Sequence, residues 1–178
     1  MQKKLIMISA VSVMVSLGLF LACGESRSNA DMPEGKRAGV AEEVKDFTLT
    51  LMDGNKLTIN DVQGKAVILN VWDTWCPPCK AEIPDFIQLF NEYKDKGLVI
   101  VGIAGGRYGK EAVQQFIEEK GINYVNALLD PQFNQTYGPI TAIPTTFVLD
   151  RNGKIYKKYV GYTDKSQFDN DIKAILGI

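Results

Sequence analysis

Histidine is absent from the 178-residue chain, and cysteine occurs only three times, at Cys23, Cys76 and Cys79. Without an imidazole the chain cannot by itself build a Ser-His-Asp or Cys-His nucleophile, a His-ligated zinc or haem, or a histidine pH switch. Catalysis is left to Cys, carboxylates, Lys, Tyr or a bound cofactor. A surplus of either charge is also lacking: 20 Lys and Arg stand against 21 Asp and Glu, which gives no basic footprint for nucleic acid. There is no internal repeat. Gly105-Gly106-Arg107-Tyr108-Gly109-Lys110 follows a strand pattern, but a phosphate loop needs Gly where Ala104 stands and Ser or Thr where Glu111 stands, so it reads as a βα connection. The length fits one domain rather than two, at roughly 100 to 200 residues per domain. A chain of this size can bury a core without disulfide staples.

The long apolar run lies at the amino terminus. Lys3 and Lys4 precede an uncharged, mostly apolar stretch from Leu5 to Ala22, which ends at Ala22-Cys23-Gly24. Basic, apolar and small-residue regions in that order read as a secretory signal over residues 1–22. Phe20-Leu21-Ala22-Cys23 resembles a bacterial lipobox, which would make Cys23 the lipid-modified first residue of the mature protein. A retained anchor is a rival reading, because the stretch can just cross ~30 Å of hydrocarbon; simple secretion is another. All three place the folded part outside the cytoplasmic membrane. From Gly24 to about Glu43 the composition is rich in Gly, Ser, Asn, Asp, Glu, Lys and Pro, too poor in apolar surface to offset the entropy of ordering. Residues 23–43 therefore read as a lipidated Cys and flexible tether, and residues 44–178 as the folded domain.

Along that domain strands alternate with helices. Phe47 to Leu51, Asp53-Gly54 and Lys56 to Ile59 predict a hairpin, Asp-Gly being a strong turn signal. Ala66 to Trp72 and Leu98 to Ala104 are near-continuous apolar runs, as in strands covered on both faces. Ile83, Phe86, Ile87, Phe90 and Tyr93 share a helical face that ends at Gly97, and Ala112, Val113, Phe116 and Ile117 mark a second helix closing at Gly121. Thr145 to Leu149, Arg151-Asn152-Gly153 and Ile155 to Val160 predict a second hairpin, and Phe168, Ile172, Ile175 and Leu176 a last helix. The expected fold is α/β: a central mixed sheet with helices on both faces and an N-terminal β-hairpin.

The chemistry concentrates in Trp75-Cys76-Pro77-Pro78-Cys79-Lys80. A strand ends just before it and a helix begins with it, so Cys76 sits at a helix N-terminus and Pro77 at the first helical position. Unpaired N–H groups and the positive end of the helix dipole favour thiolate there, holding Cys76 below the usual thiol range and making it the attacking sulfur. Cys79, one turn on, is placed to resolve a mixed disulfide. Two other readings stay open at this level. Half of a zinc site is one, although no other Cys or His remains in the mature domain beyond Cys23. A structural disulfide is the other, although so short a loop gains little chain-entropy stabilisation.

Leu69-Asn70-Val71-Trp72, the run Trp75 to Pro84, and Ala142 to Asp150 followed by Asn152-Gly153 together resemble the thioredoxin-like superfamily, and within it the TlpA/ResA/CcmG-like extracytoplasmic thiol-disulfide oxidoreductases. The resemblance covers residues ~44 to 178 and implies a thioredoxin-like fold. It also implies that Ile143-Pro144 is a cis peptide in a loop facing the disulfide, with Trp75, Pro77, Ile143, Pro144 and Thr145 meeting the substrate. Cytoplasmic thioredoxins usually carry a buried Asp where this chain has Asn70; many TlpA/ResA-like members carry a Glu where Val99 stands. With both acids missing, Asp73, three residues before Cys76, is the candidate proton carrier for Cys79, against a solvated loop Asp or water.

The expected function is that of a membrane-tethered thiol-disulfide oxidoreductase with no metal and no cofactor beyond a redox-active Cys76–Cys79 pair. The resemblance implies a monomer that reduces disulfides of extracytoplasmic proteins, apocytochrome c among them, fed by a membrane thiol electron donor and facing the periplasm or cell exterior. Thiol oxidation or isomerisation is the alternative direction. A peroxidase of the peroxiredoxin kind would need Thr where Asp73 stands, and a noncatalytic binding module would leave the Cys pair structural. Asn134-Gln135-Thr136 matches a glycosylation sequon by chance in a chain with a bacterial lipobox.

Overall fold

In a computed structural model the described residues run from Thr48 to Ile178; the leader, Cys23 and the tether lie outside them. Strand β3 (Ala66–Trp72) is the centre of a five-stranded sheet, and all seven of its residues are buried, which is why its sequence is nearly unbroken apolar. β4 (Leu98–Ala104) and then β5 (Val125–Leu128) extend the sheet on one side in parallel; β6 (Thr145–Leu149) and β7 (Ile155–Val160) extend it antiparallel on the other, giving the order β5-β4-β3-β6-β7. The expected N-terminal hairpin is present as β1 (Thr48–Thr50) and β2 (Lys56–Thr58), a separate two-stranded sheet joined to β5 through a bridge between Leu51 and Ala127.

Alternation along β3 divides the core into two layers. Ala66, Ile68 and Trp72 face helices α1 (Pro77–Tyr93), α2 (Lys110–Lys120) and α4 (Lys165–Leu176), packing with Phe86, Phe116 and Phe168. Val67, Leu69 and Val71 face the hairpin and the short helix α3 (Pro131–Tyr137), packing with Phe133, Tyr137 and Phe147. Each large apolar side chain buried this fully contributes about 1.5–3 kcal/mol. Among the described residues no helix is long and apolar enough to cross a membrane.

Two features of the α1 layer bear on the site. Helix α1 stops at Tyr93 and tightens into a 3-10 turn, Lys94–Lys96, before Gly97, so the helical face read from sequence ends slightly early. Beneath α1 a row of residues in register crosses the sheet: Asn126, Gly102, Asn70, Thr146 and Tyr159. Asn70 Nδ2 donates to Thr146 Oγ1 at 2.9 Å inside this row. Gly102 is required by close approach, since a Cβ there would run into the Asn126 amide and stand 2.8 Å from Trp72 Nε1.

Candidate active site

The site grows from the end of β3. After Trp72 the chain turns through Asp73, Thr74 and Trp75, and Cys76 becomes the N-cap of α1 with extended backbone angles (φ −90°, ψ 107°). Its Sγ accepts the Cys79 backbone N–H at 3.3 Å, one of the amides a helix start leaves unpaired. Pro77 fills the first helical position, where its missing N–H costs nothing. Cys76 and Cys79 are joined as a disulfide with their Cα atoms 5.3 Å apart. Burial does not separate the two sulfurs, for Cys76 is 2% exposed and Cys79 1%. The surroundings do: Cys76 lines an apolar groove of about 520 Å³, and Cys79 is not among its lining residues.

That groove brings together Trp75, Pro77, Pro78, Ile140 and Ile143 around Cys76. The Ile143–Pro144 peptide is cis, and the Pro144 carbonyl accepts the Gly161 N–H at 2.8 Å, fastening the loop to the end of β7. Pro144 and Thr145 are not among the lining residues; Thr145 is buried and its hydroxyl donates to the Ala142 carbonyl at 2.7 Å. Trp75, by contrast, is 42% exposed beside the disulfide.

Asp73 also lines the groove, but its carboxylate is turned inward. One oxygen accepts from the Thr74 N–H at 2.7 Å and the Thr74 hydroxyl at 3.3 Å, the other from the Arg107 N–H at 3.1 Å. It is therefore a buried group, not a solvated loop acid, and it ties the β4–α2 connection to the active-site turn.

The acid that sequence reasoning passed over is Glu82. It lies one helical turn after Cys79, is 1% exposed, and accepts the Thr163 N–H through Oε1 at 2.8 Å. Burial, aided by the charge of Asp85, pushes its carboxyl up to about 7, while the Thr163 N–H and the Asn70 amide hold it down in part. Among the described residues Oε2 meets no donor at hydrogen-bond geometry, since the nearby Asn70 amide donates to Thr146. The signal was available: the buried positions of α1 are Cys79, Glu82, Ile83, Phe86, Leu89 and Tyr93, and stepping back from Tyr93 and Leu89 through Phe86 at helical spacing lands on Glu82. Val99, where resemblance places an acid, packs in the other layer of the core, across the sheet from α1.

The arrangement is one sulfur on an open groove, a second behind it, and a carboxyl poised near neutrality one turn further along. A scan of family models matches residues 39–176 to Redoxin. The chain belongs to the redoxin family. Among curated relatives, this redoxin is 30% identical over 164 residues to the thiol-disulfide oxidoreductase ResA of Bacillus anthracis, covering 92% of this chain and 94% of the relative, and 30% identical over 162 residues to ResA of Bacillus subtilis, covering 90% and 89%. Among solved structures, it is similar to a thioredoxin-family thiol:disulfide interchange protein from Chlorobium tepidum, with 33% identity and a TM-score of 0.71, over 78% of this chain and 99% of that one. StoA of Bacillus subtilis matches with 25% identity and a TM-score of 0.63, over 74% and 98%. The redoxin is thus a protein-disulfide oxidoreductase with a thioredoxin-like fold, as its motifs imply.

Proposed function

We propose that this redoxin is tethered outside the cytoplasmic membrane through a lipid on Cys23 and reduces disulfides of partner proteins with the Cys76/Cys79 dithiol. The observation that carries the reading is the placement of Cys76 on the apolar groove, with Cys79 off its lining and Glu82 buried one helical turn further along α1. The Cys76 thiolate attacks a partner cystine, one partner sulfur leaves as thiolate, and a mixed disulfide forms. Cys79 gives its proton to Glu82 and attacks Cys76 Sγ; the second partner sulfur leaves, the Cys76–Cys79 bond closes, and two electrons have passed to the partner. No cofactor beyond this pair takes part. A membrane dithiol donor of the kind used by the family restores the reduced form. Partners are polypeptides that lay an extended segment along Trp75, Pro77 and Ile143, beside the loop that leads into the cis Pro144, with the disulfide of an apocytochrome c one substrate that the family resemblance supports.

Cys79→Ser, expressed as the full chain in its own host, removes the resolving sulfur and is expected to accumulate partners covalently held on Cys76. Cys76→Ser should hold none. Absence of any reducible adduct on Cys79→Ser would remove thiol exchange as the function.

A further inference from the structure

Of the described residues lining the groove beside Cys76, only Asp73 is charged, and its carboxylate is buried and spent on Thr74 and Arg107. What that carboxylate accomplishes is visible one residue at a time along the β4–α2 connection. The Gly105 N–H donates to the Trp72 carbonyl at 2.8 Å, and a Cβ at residue 105 would come within 2.7 Å of Asp73 Oδ2, so the connection reaches Asp73 only because a glycine stands there. The Arg107 N–H then closes on the same oxygen, and the Arg107 guanidinium comes to rest over the Trp75 ring, 5.2 Å from its centroid. Asp73 holds the backbone of Arg107 and not its side chain. Among the described residues no carboxylate pairs with this guanidinium. A planar, permanent cation is therefore held against an aromatic side chain that also forms the groove wall next to the reactive sulfur, with no described residue taking its donors.

We propose that Arg107 is a specificity residue that selects partner disulfides carrying an acidic side chain close to the cystine. The inference rests on the reading of the groove as the substrate site and names the chemistry it prefers. A segment whose cystine sulfur meets Cys76 must pass Trp75, and an Asp or Glu near that sulfur falls within reach of the guanidinium, whose fork matches a carboxylate in two parallel hydrogen bonds. A Lys at the same place meets like charge. Arg107 is exposed, so the discrimination is modest and salt-sensitive.

The test uses the reduced full-length protein as stoichiometric reductant and three peptides of one sequence that differ only in Glu, Gln or Lys beside an internal disulfide, with the second-order rate constant of peptide reduction measured in a single turnover at low ionic strength. The wild type is expected to favour the Glu peptide over the Lys peptide by about fivefold. Arg107→Gln is expected to bring the ratio to about one, Arg107→Glu to invert it, and added salt to flatten it in the wild type. A wild-type ratio near one, or a ratio that both variants leave in place, overturns the proposal while leaving the groove as a substrate site. If the wild type reduces none of the three peptides, the reading of the groove itself falls and this inference with it.

Discussion

Two buried acids are candidates to take the proton of Cys79, and their surroundings separate them. Asp73 has both carboxylate oxygens occupied by donors from Thr74 and Arg107, whereas Glu82 keeps Oε2 unpartnered and has a carboxyl raised to about 7. A group with that affinity is half ionised near neutrality, where general-base transfer works best. The resolution step, followed as release of product from a preformed mixed disulfide, is expected to speed up as pH rises toward 7 and to level off above it. Glu82→Gln should remove that inflection and slow resolution at neutral pH on the order of 10²-fold, while Asp73→Asn keeps the inflection. An inflection that survives Glu82→Gln and vanishes in Asp73→Asn would hand the role to Asp73.

The elements differ in how plainly the sequence announces them, and length explains most of the difference. β3 and β4 are seven-residue apolar runs, and α1 spans five turns, so their periods are legible. β5 and α3 were not foreseen. β5 has four residues with Asn126 in the middle, buried only because it packs against Gly102 across the strand pair, a tertiary fact with no local trace. α3 has seven residues and two buried side chains, Phe133 and Tyr137, too few to establish a period. Its start was written nonetheless: Asp130 is the N-cap, its Oδ1 accepts the Phe133 N–H at 2.8 Å, and Pro131 follows at the first turn. The active site divides the same way. The two Cys and the cis Pro144 lie in runs with a family pattern, while Glu82 shows only once the buried face of α1 is phased by Leu89 and Tyr93 instead of Ile87 and Phe90. Because Asp130 caps α3, which carries Asn134 on the groove, Asp130→Ala is expected to cost about 1 kcal/mol of stability, read as a lower urea midpoint. An unmoved midpoint would show that Phe133 and Tyr137 packing alone fixes the helix.

Across the whole domain, the burial that raises the Glu82 carboxyl has a cost in stability whose sign follows from linkage. Its folded-state affinity for a proton is raised, from an ordinary 4.5 to about 7, so the native protein holds that proton over a range where the unfolded chain has released it. The stabilisation is complete below about 4.5, falls as pH rises, and is gone once pH has passed through about 7. Its full size is up to about 3 kcal/mol, at ~1.4 kcal/mol per pH unit. Asp169 acts in the opposite sense: Lys173 and the Tyr93 hydroxyl hold its carboxyl below the ordinary 3.8, so its share is present above that value and lost as pH falls further. Together these two groups favour the folded state in the mildly acidic range over neutrality. Denaturant unfolding from pH 4 to pH 8 should show this decline in the wild type and a nearly flat profile in Glu82→Gln, which gains stability at pH 7 and above while losing speed in the resolution step. A decline of equal slope in both proteins would mean that Glu82 is ionised in the folded state at ordinary carboxylate pH, and its part as proton carrier would go with it.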